Sequence, residues 1–161
     1  MQIANKLFVA ATCPLRNINF DAVDEILARK AAAGRLLVVQ EALSEATKWN
    51  FATAEAEFRI GDVIEVEKIG FGLVLLQVDL LKKLIEKGLA SEFPRFGAIT
   101  QTNHPVYDFF SPLKKEDGSY IFEDIAFCNR VSEAGETLYA LVTEDVQHWG
   151  DYAYKGRLPR G

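Results

Sequence analysis

The spacing of apolar residues changes several times along the chain, and each change marks an element. Leu7-Phe8-Val9-Ala10-Ala11 is an unbroken apolar run that predicts a short buried strand, closed by Thr12-Cys13-Pro14 because proline offers no ladder N–H. Ala22, Val23, Ile26, Leu27 and Lys30 then recur at helical spacing, with Asn19 as N-cap, Asp21, Asp24 and Glu25 in the opening turns and Gly34 as the stop. Arg35 to Val39 suits a strand, whereas Glu41 to Phe51 fits no single period.

From Arg59 the pattern turns to strands. Val63-Ile64-Glu65-Val66-Glu67 alternates as a half-buried strand does, and Gly72 to Leu76 predicts a second strand buried on both faces. The two glycines of Gly70-Phe71-Gly72 interrupt this stretch and predict a bulge, a sharp turn or a close backbone approach. Val78 to Lys87 predicts a helix with Leu80, Leu81, Leu84 and Ile85 inward and Gly88 at its end. Residues 91 to 119 carry Pro94, Pro105 and Pro112 and read as loop, broken by the aromatic piece Tyr107-Asp108-Phe109-Phe110 and a surface turn at Lys115-Glu116-Asp117-Gly118. A further helix runs from Glu123-Asp124 to Gly135, with Ile125, Phe127, Cys128 and Val131 as its core stripe, and Leu138 to Val142 is the last strand. There is no internal repeat, low-complexity stretch or linker, so residues 1–161 read as a single α/β domain with a mixed sheet flanked by helices.

Composition narrows the function. Half the residues are apolar (49%) and a quarter charged (25%), which suits a globular chain and not a disordered one. The net charge is −5 and the basic residues are scattered, which argues against a nucleic-acid partner; a nucleotide-sugar is still compatible, because a divalent cation would offset its charge. No apolar run approaches the roughly 18 residues of a membrane span, and the N-terminus lacks the pattern of a signal peptide, so a cytoplasmic location is expected. Cys13 and Cys128 stand alone and read as free thiols, not as a zinc site.

Three features carry candidate chemistry: Glu123-Asp124 opening a helix, His148 after an apolar strand, and the Gly70-Phe71-Gly72 turn. Each has an ordinary structural reading, as helix cap, surface histidine and bulge respectively. Their order and context are more specific. Ile69-Gly70-Phe71-Gly72-Leu73-Val74-Leu75-Leu76, Tyr107-Asp108-Phe109-Phe110, Tyr120 to Arg130 around Phe122-Glu123-Asp124-Ile125-Ala126-Phe127-Cys128, and His148-Trp149-Gly150-Asp151-Tyr152-Ala153-Tyr154-Lys155-Gly156 together resemble GT-A glycosyltransferases, particularly a bacterial and viral group. Leu7 to Phe20 looks like the strand and loop just past that family's metal-binding Asp-x-Asp, so the likeness covers nearly the whole chain.

The resemblance implies the C-terminal, acceptor-side half of a GT-A fold. In that reading Asp124 is the general base of an inverting transfer and Glu123 its partner in orienting hydroxyls. Gly70, Phe71 and Gly72 approach the donor sugar, and His148 completes the shell of Mn2+ or Mg2+. Tyr107, Asp108, Trp149 and Tyr152 contact sugar rings. The implied partners are a nucleotide-sugar and a glycan or other acceptor. The sequence departs from the family in having no Asp-x-Asp, in Phe71 where a small or hydroxyl residue is common, and in Phe122 where serine is common. The N-terminal nucleotide-binding half is expected to be absent. The expected function is therefore sugar transfer when complemented by such a half, with a non-catalytic carbohydrate- or protein-binding module as the alternative. A homo-oligomer is expected in either case, because a half-fold leaves apolar surface uncovered.

Overall fold

The computed structural model describes residues 3–36, 38–93, 105–150 and 152–158. Its centre is a four-stranded mixed sheet in the order Val63–Val66, Leu138–Leu141, Phe8–Ala11, Val74–Leu76. Phe8–Ala11 runs parallel to Leu138–Leu141, and the other two pairings are antiparallel. The alternation read in the sequence is visible in the register. Phe8, Ala10, Ile64, Val66, Leu138 and Ala140 face one side, and two helices cover them.

Four helices lie among the described residues: α1 (Phe20–Ala32), α2 (Val39–Glu45), α3 (Val78–Glu86) and α4 (Glu123–Glu133). The core joins Leu80 and Leu84 of α3, and Phe127, Cys128 and Val131 of α4, to the covered face of the sheet. Each large side chain buried completely there contributes roughly 1.5–3 kcal/mol. Helices α1 and α2 form a separate pair around Val23, Ile26, Ala42 and Ala46. Lys30 belongs to the inward stripe of α1 as the spacing predicts; only 4% exposed, it bridges to Glu41 (3.2 Å) and Glu45 (2.8 Å) of α2.

Several expectations need correction. Asn19 does precede α1, but its side chain makes no capping bond. The first strand stops at Ala11, before Thr12-Cys13-Pro14 as expected, but Pro14–Ile18 then forms an unforeseen antiparallel ribbon with Thr47–Trp49. Proline is tolerated there because it occupies the first position of a strand. No strand forms over Arg35 to Val39; Val39 opens α2 instead, and Leu37 lies outside the described residues. Gly72 to Leu76 is not buried on both faces. The strand is Val74–Leu76, an edge of the sheet, with Leu73 65% and Leu75 55% exposed.

The opposite face of the sheet, formed by Val9, Ala11, Tyr139, Leu141, Leu73 and Leu75, belongs to neither buried cluster. On that face Val9 and Ala11 are nonetheless buried, at 5% and 7% exposure, whereas Leu73 and Leu75 near the edge are exposed. At its edge, Ala11 N donates to Leu73 O and Gln77 N donates to Leu7 O. Odd-numbered residues of the edge therefore bond inward, and the N–H and C=O groups of Val74 and Leu76 point away from the sheet.

Candidate functional site

Asn50 joins three segments that are distant in sequence. Its side-chain oxygen accepts from Cys13 N (2.8 Å), and its backbone N donates to Cys13 O (3.0 Å). Its amide Nδ2 donates to Gly70 O (2.6 Å), and its backbone O accepts from Gly70 N (2.7 Å). The clamp continues a short ladder in which Phe51 pairs with Ile69. It fixes Gly70 against the start of α4.

There Gly70 meets Asp124. A β-carbon on Gly70 would stand 3.1 Å from Asp124 Oδ2, so the glycine is needed for close approach and not for a positive φ. Gly72 is used the same way, with Cys13 Cβ 3.2 Å from the place its own β-carbon would take. Asp124 is half-buried in the first turn of α4, where unpaired N–H groups and the helix dipole favour a carboxylate, and its Oδ1 accepts from Ile125 N (2.7 Å). Phe122 occupies the N-cap position with no side-chain acceptor to offer, and its ring is 70% exposed. Glu123 beside it faces solvent. One turn on, Cys128 donates its S–H to Ile69 O (3.4 Å), and burial first of all, with the Asp124 charge adding, pushes its thiol up.

Two other candidates serve the fold. Phe71 packs its ring against Phe8, Phe110 and Phe127, at centroid distances of 5.7, 6.1 and 5.6 Å, so the residue between the two glycines helps form the core. Asp108 accepts from Phe110 N (3.2 Å), Ser111 N (3.0 Å) and the Ser111 hydroxyl. The Ser111 bond in particular holds its carboxyl below the ordinary range. The loop it orders is also held by the buried Arg130, which donates to Phe109 O (3.3 Å) and Ser111 O (2.8 Å). Tyr107 pairs its backbone with Glu92 and packs its ring near Phe109.

His148 begins a two-stranded hairpin, His148–Trp149 with Ala153–Tyr154. Its Nδ1 lies 3.2 Å from Pro14 O, and its Nε2 accepts from Arg16 Nε at 2.8 Å. Pro14 follows Cys13, so His148 connects to Gly70 and Asp124 through Cys13 and Asn50; no hydrogen bond joins His148 to Asp124 directly among the described residues. Trp149 is 69% exposed and Tyr152 is exposed, its ring 5.3 Å from Tyr154. Asp151 and Pro94 lie outside the described residues.

The donor set does not fit a divalent cation at His148. A metal needs a ring-nitrogen lone pair, and the one that neutral imidazole has is engaged by Arg16. Among the described residues no three His, Cys, Asp or Glu side chains gather as a ligand group. Likewise among them, no helix is long and apolar enough to cross a membrane.

Sequence reasoning missed Asn50, Arg16 and Trp49. Trp49 lies opposite Pro14 in the ribbon, its Nε1 is buried without an acceptor among the described residues, and Gly156 packs on its ring. Only Gly156, a glycine in a tail rich in Trp, Tyr, Gly and Arg, gave any signal. The chain matches no family model, and no curated protein and no solved structure matches it.

Proposed function

We propose that this chain is a glycosyltransferase-type domain that handles the acceptor side of sugar transfer from a nucleotide-sugar, with Asp124 as the base that takes the acceptor hydroxyl's proton. The fold reading behind it is the C-terminal part of a GT-A fold. The observation that carries the proposal is the packing of Asp124 on Gly70, where a β-carbon would stand 3.1 Å from Oδ2. The contact fixes a half-buried carboxylate in the first turn of a helix, where a hydroxyl arriving from the solvent side comes within reach of the base. Glu123, exposed one residue earlier, is suited to orienting hydroxyls.

Saccharide titrations followed by amide NMR test this. Acceptor-type mono- and oligosaccharides should shift Gly70, Asp124 and Ile125, and Asp124→Asn should remove those shifts while the rest of the spectrum persists. Nucleotide-sugars should bind weakly, because the sequence has no Asp-x-Asp. Saccharides that leave all three residues unmoved would sink the reading.

Exposed Trp149 and Tyr152 favour the second reading, a non-catalytic carbohydrate-binding module, because aromatic faces stack on sugar rings. Shifts confined to the 148–154 hairpin would select it. In either reading we propose self-association through the Val74–Leu76 edge with a second copy of the chain. The outward N–H and C=O groups of Val74 and Leu76 pair with themselves across a two-fold axis. With Val74 opposite Leu76 of the second copy, Leu75 faces its own counterpart, and the strand carries no charge to oppose the contact.

A further inference from the structure

The tautomer of His148 follows from its neighbours. Arginine N–H groups only donate, so the 2.8 Å contact from Arg16 Nε makes His148 Nε2 the acceptor. Nδ1 then carries the proton and donates to Pro14 O at 3.2 Å. The ring is held from both ends, between the backbone of the Pro14–Ile18 strand and a guanidinium on the same strand. A cation entering at Nε2 would have to displace Arg16 and would face its charge. What the arrangement does suit is a neutral histidine that fixes the direction of an arginine.

Arg16 is exposed, and its guanidinium passes beside Gly150. A β-carbon at Gly150 would stand 3.6 Å from Arg16 Cδ and 3.7 Å from Nη1. A longer side chain there would close over the guanidinium, and glycine leaves that side open. With Nε committed to His148, the Nη groups present the planar, paired donors that match two oxygens of a phosphate. Arg16 also lies two residues after Pro14, in the segment that Cys13 and Asn50 tie to Gly70.

We infer that Arg16 supplies the positive charge at the place where the resemblance puts a divalent cation. His148 is its positioning residue and not a metal ligand, and the group bound there is a phosphate-type anion taken without metal. That this anion is the diphosphate of a sugar donor rests on the transferase reading.

The test uses the whole chain with Mn2+ alone and with pyrophosphate alone as probes. On adding Mn2+, the His148 ring signals should stay sharp in the parent protein and broaden in Arg16→Ala, where Nε2 is freed. Pyrophosphate should bind in the presence of EDTA. Arg16→Ala should weaken that binding about tenfold or more, the loss expected for a charge-assisted contact. His148→Gln keeps an acceptor for Arg16 and should retain the parent affinity, whereas His148→Phe should behave as Arg16→Ala does. Amide spectra of each variant establish that it is folded, and Arg16, being exposed, can be replaced without opening the core. Broadening of His148 by micromolar Mn2+ in the parent protein would overturn the inference. So would pyrophosphate binding that needs Mn2+, binding indifferent to Arg16→Ala, or no binding in EDTA. Saccharide shifts at Asp124 report on the transferase reading separately: their presence alongside a failed Arg16 test sinks only this inference, and the reverse result sinks only that reading.

Discussion

Gly156 lies flat against the indole of Trp49, so closely that a β-carbon on it would stand 2.5 Å from Cζ2 and 2.8 Å from Cε2. The contact holds the C-terminal tail over the Pro14–Ile18 ribbon. The tail continues with Arg157 N donating to Ser44 O (3.0 Å), Leu158 N donating to Glu144 (2.7 Å) and the Leu158 side chain entering the core.

Replacing Gly156 with alanine should therefore destabilise the protein by about 1–3 kcal/mol, the usual cost of forcing a methyl group into a packed site. Gly150→Ala, whose nearest neighbour is 3.6 Å away, is the matched control and should be close to neutral. Urea unfolding followed by tryptophan fluorescence measures both. Equal stability in the two variants would mean that the indole yields to the methyl group at no cost.

Gly70→Ala should push on Asp124 and loosen the first turn of α4, while Asn50→Ala should release both Cys13 N and Gly70 O from their side-chain partners. For Asn50→Ala a loss of about 1–3 kcal/mol is expected, because buried polar groups lose their partners. Hydrogen exchange at Gly70 and Ile125 reads the two effects locally. Unchanged protection in both variants would show that the clamp does not hold the site.

If a nucleotide-binding partner segment restores sugar transfer, Asp124→Asn should lower the turnover about 10²- to 10⁴-fold, the range for loss of a general base. The amide keeps the shape of the carboxylate, so the melting temperature should fall little. Near-normal turnover in this variant excludes Asp124 as the base.

The α1–α2 pair should depend on pH through Lys30 and Glu45. The Lys30 hydrogen bond, first of all, holds the Glu45 carboxyl below its ordinary value, and the Glu45 bond, first of all, raises the Lys30 ammonium above its own. A depressed acid stabilises the fold above its unfolded value, about 4.3 for glutamate, and that contribution is lost as pH falls through the lower folded value. A raised base stabilises below its unfolded value, about 10.4 for lysine, and is lost as pH rises through the higher folded value. Thermal melts of the parent and of Lys30→Met across both limbs should differ most between these two values and converge outside them. Parallel curves at every pH would show that the ion pair contributes nothing.

Proline at Val74 removes an outward-pointing N–H and leaves the inner ladder of the sheet intact. Sedimentation at micromolar concentration should show a dimer for the parent protein, and a folded monomer for Val74→Pro and for Leu75→Lys. A monomeric parent protein would rule out edge pairing.

What the sequence made legible was local. The alternation of Val63 to Glu67 and the helix α3 appear in the structure as their spacing requires, and Gly34 and Gly88, with φ of 66° and 69°, close α1 and α3. Helix α4 opens at Glu123 as expected and ends at Glu133, two residues before Gly135. Spacing misleads where a distant partner decides the outcome. An apolar run such as Leu73 to Leu76 reads the same at the centre of a sheet as at its edge, and only the absence of a second strand distinguishes them. The ribbon of Pro14–Ile18 with Thr47–Trp49 exists because two weak segments meet, and neither signals the other. The same holds within the candidate site. Asn50 gains its importance from Cys13 and Gly70, and the role of His148 is set by Arg16, 132 positions away. Phe71 stands out between two glycines in the sequence because its three aromatic neighbours come from other elements.

The parallel pairing of Phe8–Ala11 with Leu138–Leu141 governs how the protein emerges from the ribosome. Phe8 to Ala11 finds its antiparallel neighbour once residue 76 is out, but the strand on its other side is made about sixty residues later. At about 5–20 residues per second, roughly 3–12 s pass in which the most deeply buried strand of the sheet waits with one side open. During that interval the unpaired edge is exposed to any chain that can pair with it. Slowing translation between codons 76 and 138 lengthens the wait and should lower the soluble yield.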